Sequence, residues 1–333
     1  MRSTTHRPGL RGAGTTAATP FQRRRAHRAL GLAAAAVLAL TLSGCGEGMN
    51  SSADPALQSE SPEEDSMDGM DMGDDMGDMD HGDAQGDGHM HSHETEGDGL
   101  SASLRGLTLG EVETNATSES GGELSFRIVK ENGTTATEFV RDQGKYVHAY
   151  LVSEDLSTYH HVHPKAAAGN WVVNVPPLPA GRVHLVTNFV AVDAEGEYRA
   201  LTLGTDFNVA GEATAKPLPK PAPEVQVDGY TVTLGEAASV GAEAKLNLTV
   251  TKGGRPVTFE PYLEAWAHTS AFAAGTQAIS HLHPAQEWKP DATPPEVLTF
   301  VWTPSAAGDY RFFVEFMAEG ELHRAEFTRT VSN

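Results

Sequence analysis

Residues 145–164 read KYVHAYLVSEDLSTYHHVHP, and residues 265–284 read AWAHTSAFAAGTQAISHLHP. In both stretches a histidine is followed 13 positions later by a second histidine, then by a third two positions beyond it, and finally by a proline. The two sets of histidines are His148, His161 and His163, and His268, His281 and His283. So specific a spacing, repeated 120 residues later, indicates that one domain has been duplicated.

The flanking sequence also repeats, and it has the pattern of β-strands. Gly181 and Phe189 match Gly308 and Phe316, and EGEY at 195–198 matches EGEL at 319–322. Short alternating runs such as ELSFRIV, AKLNLTV and LTFVW are separated by Asn-Gly, Gly-Gly, Pro and Glu-Gly. This pattern predicts an all-β protein with two tandem immunoglobulin-like or cupredoxin-like β-sandwich domains after a disordered N-terminal tail.

The composition divides the chain into five segments. Residues 1–44 form a predicted lipoprotein signal peptide, and residues 45–99 form a predicted disordered tail rich in Met, Asp and His. β-sandwich repeat 1 is expected over 100–212, a proline-rich linker over 213–223, and β-sandwich repeat 2 over 224–333.

The period of a strand decides which histidines of the first stretch can meet. Successive side chains on a strand point to opposite faces. Tyr159, His161 and His163 therefore share one face, whereas His160 and Val162 share the other. Of the histidines at positions 160, 161 and 163, only His161 and His163 can therefore bind the same ion.

The third histidine of each set is expected on the neighbouring strand. With Val147, Ala149 and Leu151 in the core, His148 points to the opposite face, and His268 is expected to do the same. Same-face residues lie about 6.6 Å apart along a strand, and a neighbouring strand offers a side chain at about 5 Å. Imidazole nitrogens from such positions can converge on one ion. Each repeat is therefore predicted to hold one three-histidine site for Cu(II) or zinc.

Other polar residues are expected to complete the sites or to lie outside them. The fourth coordination position would be open, or be filled by water, by a ligand from the tail or by a carboxylate such as Asp155. His160, His184 and His323 have no counterpart in the opposite repeat, so they are predicted to be structural or accessory. A lone histidine in a sheet is usually a surface or hydrogen-bonded core residue, so the metal prediction depends on the repeated spacing. Large aromatic side chains are expected in the core: Trp171, Phe189, Trp302, Phe312 and Phe316.

The first 44 residues have the pattern of an export signal. They contain seven arginines and no acidic residue, with an apolar run from about Ala29 to Leu42 that is short for a bilayer span. The run ends in Leu42-Ser43-Gly44-Cys45, which resembles a bacterial lipobox. Cleavage before Cys45 and lipidation of its sulfur, with acyl chains such as palmitate, would anchor the protein to the outer face of the cell membrane. The general secretory and twin-arginine routes both remain open, and a weak transmembrane anchor is the alternative.

Cys45 is the only cysteine, which excludes an intrachain disulfide and a blue-copper site that needs a thiolate. The chain has a formal charge of −21, and signal cleavage would remove only positive charge, so we expect no nucleic-acid partner. Residues 46–99 contain no aromatic residue, Val, Ile, Lys or Arg, but 17 acidic residues. This composition predicts disorder.

The tail also carries soft metal ligands. Thioethers suit Cu(I), and imidazole accepts Cu(II) or Zn(II). A simple acidic spacer would not need them, so the tail is predicted to capture copper or a related metal. Its candidate ligands are Met67, Met70, Met72, Met76, Met79, His81, His89, Met90, His91 and His93.

Residues 100–333 resemble exported two-repeat proteins of actinobacteria, described as secreted or as heavy-metal-binding lipoproteins. The resemblance is carried by YVHAYLV, Asp155-Leu156 and YHHVHP in the first repeat, and by WAHTSAF, HLHP and GDYRFFVEF in the second. It implies the two-repeat architecture more than an activity. The second repeat lacks the Asp-Leu pair, and if Asp155 ligates or orients a histidine, the second site is the weaker one.

These observations predict a non-enzymatic, membrane-anchored metal-binding lipoprotein for copper capture, buffering or handover. Its partners would be metal ions, the membrane through the lipid, and a metal transporter or chaperone. Two alternatives remain: a zinc or copper metalloenzyme with three-histidine sites, and a cell-surface interaction module with structural histidines.

Overall fold

A computed structural model describes residues 95–333, and every regular element in this range is a β-strand. Repeat 1 comprises β1 (Ser103–Leu104), β2 (Leu107–Leu109), β3 (Glu113–Thr114), β4 (Gly122–Phe126), β5 (Ile128–Lys130), β6 (Phe139–Val140), β7 (Val147–Ser153), β8 (Tyr159–Val162), β9 (Lys165–Ala167), β10 (Asn170–Val175), β11 (Gly181–Val192) and β12 (Tyr198–Val209). Repeat 2 comprises β13 (Glu224–Val227), β14 (Tyr230–Leu234), β15 (Ala244–Lys252), β16 (Arg255–Pro256), β17 (Ala267–Ala273), β18 (Ile279–Leu282), β19 (Val297–Trp302), β20 (Gly308–Ala318) and β21 (Glu321–Val331). The all-β prediction with two tandem β-sandwiches is confirmed.

Each repeat is a sandwich of antiparallel sheets. In repeat 1 the sheet β8-β7-β11-β12 covers the sheet β3-β4-β10-β9 and the smaller sheet β1-β2-β5, while β6 pairs with β11. In repeat 2 the sheet β18-β17-β20-β21 covers the sheet formed by β13, β14, β15 and β19, to which β16 is added. The sheets that carry the histidines, β8-β7-β11-β12 and β18-β17-β20-β21, have the same strand order, as the duplication requires. We call them the histidine sheets.

The two histidine sheets pack against each other. All seven residues of β7 and all seven of β17 are buried, which an alternating strand achieves only when both faces of its sheet are covered. One face meets the core of its own repeat, and the other meets the opposite repeat. The shared cluster contains Tyr150, Val152, Leu156, Tyr159, Val186, Phe272, Ile279 and Phe313.

The chain segments around the repeats are also attached. Glu96 bonds through its backbone with Ala200 and Thr202, and the Asp98 carbonyl accepts from the Ile279 amide of repeat 2. Between Val209 and Glu224 the chain forms no strand. This proline-rich stretch is held by the Lys216 amide, which donates to Asp155, and by the Ala222 carbonyl, which accepts from Arg329.

Several predictions concern residues outside 95–333. The signal peptide, Cys45 and the Met and His ligands of the tail all lie outside the described residues. Within the described range no helix is long and apolar enough to cross a membrane.

Candidate metal centre

The first histidine of each triad is fixed by a tight turn that precedes its strand. His148 is 3% exposed, and its Nε2–H donates to the Asp142 carbonyl at 3.0 Å. His268 is 1% exposed, and its Nε2–H donates to the Tyr262 carbonyl at 2.9 Å. In both rings the protonated nitrogen faces the turn, so Nδ1 presents a lone pair to the site.

The other two histidines of each triad come from the short strand at the sheet edge. The pairing of β7 with β8 sets His161 opposite Tyr150, and the pairing of β17 with β18 sets His281 opposite Ser270. Both edge strands end at the residue between the paired histidines, just before a His-Pro. Pro has no amide to continue the ladder, so the strand ends there.

The two triads have nearly the same shape. In each one, three ligand nitrogens lie within 4.8 Å of one another. The ring centroids of His148, His161 and His163 are 5.4, 5.0 and 4.7 Å apart. The corresponding separations in the second triad are 5.7, 5.4 and 4.7 Å. The predicted grouping of six histidines into two triads therefore agrees with the structure.

Five of the six triad histidines have a ligand nitrogen with no partner outside their own triad. Nδ1 of His148 and Nε2 of His161 lie 3.1 Å apart. Two nitrogens bound to one tetrahedral ion at about 2.05 Å would be separated by about 3.3 Å. Nε2 of His163, Nδ1 of His268 and Nε2 of His281 are buried without any hydrogen-bond partner. Buried polar atoms are nearly always satisfied, so these orphaned nitrogens point to an ion.

Burial keeps the histidines in the neutral form that binds metal. It lowers the pKa of His163 to about 2, with the neighbouring His161 and His148 adding to the effect. Burial also lowers the pKa of His268 to about 3, and it lowers the pKa of His148, His161 and His281 below the ordinary value. At neutral pH these imidazoles need not release a proton before they bind an ion.

The two triads lie side by side at the interface between the repeats. The His161 ring is 6.3 Å from the His268 ring and 6.5 Å from the His281 ring. Gln143 of repeat 1 reaches across and contacts both ring nitrogens of His283, which lies at the exposed rim. The six histidines therefore form one centre that contains two adjacent triads.

Each repeat also supports the central histidine of the other. Nδ1–H of His161 donates to Oε2 of Glu315, a repeat 2 residue, at 2.8 Å. Nδ1 of His281 lies 3.1 Å from the Tyr150 hydroxyl of repeat 1 and 3.3 Å from the Ser270 hydroxyl. With the proton on Nδ1, both rings turn Nε2 toward the ion. Such outer partners fix the tautomer and ring orientation of metal-bound histidines.

Glu315 is the functional residue that our sequence analysis missed. It is 5% exposed, and burial raises its pKa to about 7, while Arg324 and a hydrogen bond from Tyr159 oppose this effect. The sequence does mark this residue, because a glutamate within the apolar run RFFVEF is unusual for a strand that is buried on both faces. The contact across the repeats could not be predicted from the spacing.

The remaining candidate residues have other roles. Asp155 accepts hydrogen bonds from Ser153, Ser157 and the Lys216 amide, beyond the end of β7 that is farthest from His148. Five residues of strand, about 17 Å, separate His148 from Ser153. Asp155 is therefore not the fourth ligand, and its absence from repeat 2 does not weaken the second triad.

The three histidines without a counterpart also lie outside the triads. The His184 ring bonds to Asp206 and to the Gly99 carbonyl. The His323 ring bonds to Asp228 and lies 3.3 Å from the Ala318 carbonyl. His160 is on the face opposite His161, and its Nε2 is buried without a partner.

A protein-family profile described as a domain of unknown function, DUF8832, matches residues 225–333, which is repeat 2. No curated protein matches the chain. Similar solved structures include the Escherichia coli adhesin FdeC (13% identity, 69% of this chain, TM-score 0.20), of which this chain spans 65%.

Two further structures are similar at the same level. The fibronectin(III)-like modules of Clostridium thermocellum CbhA match with 12% identity over 67% of this chain and 94% of theirs, with a TM-score of 0.18. Salmonella alpha-2-macroglobulin matches with 13% identity over 68% of this chain and 16% of its own, with a TM-score of 0.24. At these TM-scores the matches assign no function to this chain.

Proposed function

We propose that this protein is a non-enzymatic, extracytoplasmic lipoprotein that captures, buffers or hands over metal ions, with copper as its main ion and zinc as the alternative. The observation that carries the proposal is the pair of triads, in which five of the six histidines have a ligand nitrogen with no partner outside the triad. Neutral imidazoles suit Cu(II) and Zn(II), and the Met-rich tail would supply thioethers for Cu(I).

The arrangement favours binding over turnover. The nearest buried carboxylate, Glu315, lies behind His161 on the side away from Nε2, and its Oε2 already accepts the Nδ1 proton. In this position it orients a ligand and does not face an ion-bound water as a general base would. A lipid on Cys45 would keep the protein at the membrane, where a transporter or chaperone could load or unload it.

Titration of the full-length protein with Zn(II), and separately with Cu(II), tests the proposal. We expect His161→Ala and His281→Ala each to bind about one equivalent less of tightly held metal than the wild-type protein. Metal bound by the tail does not affect this difference, because the tail is the same in all the proteins. His160→Ala is the matched control, because it changes the same strand on the opposite face and should leave the stoichiometry unchanged. Equal metal uptake by all four proteins would contradict binding at the triads, and catalytic turnover by the loaded protein would contradict the non-enzymatic assignment.

A further inference from the structure

The two triads differ in the charge of the groups that support them. The first triad has the carboxylate of Glu315 at 2.8 Å from Nδ1 of His161. The second triad has the hydroxyls of Tyr150 and Ser270 near His281, and the amide of Gln143 at His283. All three of these groups are neutral.

The duplication shows where a second carboxylate is missing. Glu315 pairs with His268 across β17 and β20, and Asn188 pairs with His148 across β7 and β11. Asn188 is therefore the counterpart of Glu315 in repeat 1. It is a neutral amide, and its Oδ1 accepts a hydrogen bond from Thr202 at 2.8 Å.

We propose that the two triads take ions of different charge, a divalent ion at the first triad and a monovalent ion, such as Cu(I), at the second. This inference rests on the proposed metal-binding function and deepens it. The cost of burying an ion rises steeply with its charge, and a nearby opposite charge offsets much of that cost. Glu315 contacts a ligand of the first triad directly, whereas it faces His268 of the second triad across the strands without a hydrogen bond to it.

The cations around the centre do not cancel this difference. Arg324 donates to the Tyr159 carbonyl and is also paired with Glu326 at 3.4 Å, and its side chain is 37% exposed. Lys145 is exposed to solvent at the edge of the first triad. Arg324 lies opposite Glu315 across β20 and β21 and offsets part of its charge, but more than a third of the Arg324 side chain is exposed to water, whereas Glu315 is buried and in direct contact with His161. The protein would thus hold both oxidation states of copper in one centre.

The proposal is tested on full-length protein with two probes that do not change oxidation state, Zn(II) and Ag(I). Nitrogen-15 NMR of labelled histidine side chains reports which triad each ion fills, independently of binding by the tail. The signals of His163 and His283 are assigned by their absence from the spectra of His163→Gln and His283→Gln. Zn(II) is expected to shift the His163 signals at concentrations at least 10-fold lower than those needed to shift the His283 signals. Ag(I) is expected to show the reverse order.

Two substitutions of the outer groups complete the test. Glu315→Gln should lower Zn(II) affinity at the first triad by about 10- to 100-fold and leave Ag(I) affinity unchanged, because outer carboxylates contribute about that much to metal affinity. Asn188→Glu should raise Zn(II) affinity at the second triad, and it keeps the proposal testable if Glu315→Gln does not fold. A purely structural role for Glu315 would lower the affinities for both ions equally.

The outcomes separate the two proposals. If Zn(II) and Ag(I) fill both triads in the same order, or if Glu315→Gln leaves the selectivity unchanged, the charge assignment is wrong while metal binding stands. If neither ion shifts any triad histidine, the proposed function itself fails.

Discussion

His148, His161 and His268 are each held in one tautomer by the acceptor behind the ring. His148 and His268 donate to backbone carbonyls, whereas His161 donates to a carboxylate. A backbone carbonyl cannot be removed by mutation, so these two first ligands are set by the fold. The central ligand of each triad instead depends on side chains of the opposite repeat, and there the two sites can diverge.

The buried neutral histidines make the stability of the metal-free protein depend on pH. The folded state holds the pKa of His163 at about 2 and that of His268 at about 3, whereas the unfolded chain takes up protons below about pH 6.5. Because the unfolded state then binds more protons, the free energy of unfolding falls as the pH drops below about 6.5, by at most about 1.4 kcal/mol per pH unit for each buried histidine.

One group acts in the opposite direction. Burial raises the pKa of Glu315 to about 7, so this carboxyl stabilises the folded state as the pH falls from about 7 toward the unfolded value of about 4.3. The histidines outnumber it, and we expect a net loss of stability. Urea unfolding at pH 7.5 and 5.5 with chelator present checks this, and His163→Gln with His268→Gln should flatten the dependence. A steeper loss in the double variant would contradict the explanation.

At the scale of elements, two equivalent hairpin turns place the first ligands. Residues 142–145 and 262–265 each close with a pair of backbone bonds of 2.8 and 3.1 Å between the first and last residue. Gln143 and Gly144 have φ of 50° and 73°, and Leu263 and Glu264 have φ of 49° and 56°. The second turn therefore adopts the left-handed conformation without the glycine that this turn type favours.

This difference predicts opposite effects of two single substitutions. Glu264→Gly should raise the free energy of unfolding by roughly 0.5–1 kcal/mol by relieving left-handed strain, and Gly144→Ala should lower it by about 1 kcal/mol. A Cβ at Gly144 would meet Glu264 Oε1 at 3.6 Å, an ordinary contact, so the cost there is conformational. Chemical denaturation of the metal-free variants measures both, and Glu264→Gly should retain metal binding because the Tyr262 carbonyl stays in place. Destabilisation by Glu264→Gly would contradict this account.

The sequence was sufficient for the strands and for the triads, because both follow from local rules. Period-two alternation separates His160 from His161, and the duplicated spacing identifies His148 as the partner of His161 and His163. The packing of the histidine sheets was not predictable in this way. Tyr150, Phe272 and Phe313 lie on the face of each histidine sheet that the opposite repeat covers. Period-two alternation does not distinguish an exposed face from a face that a second domain covers.

At the scale of the whole molecule, the interface between the repeats is part of the metal centre. Phe313 stacks on Tyr159 with ring centroids 4.2 Å apart and planes 7° apart. Tyr159 in turn donates to Ser270 and Glu315, which support the second and the first triad respectively. Apolar packing between the repeats thereby positions groups that contact both sets of ligands.

Phe313→Ala should therefore weaken both metal sites, although no ring contact joins Phe313 to a triad histidine. Removing a fully buried phenylalanine costs about 3–5 kcal/mol, and here the loss loosens Tyr159 and Glu315. Phe327→Ala is the matched control, because Phe327 is equally buried but packs in the core of repeat 2 away from the interface. At a temperature where both variants remain folded, Zn(II) titration should show reduced affinity for Phe313→Ala and wild-type affinity for Phe327→Ala. If both variants retain wild-type affinity, the repeats bind metal independently and the interface only stabilises the fold.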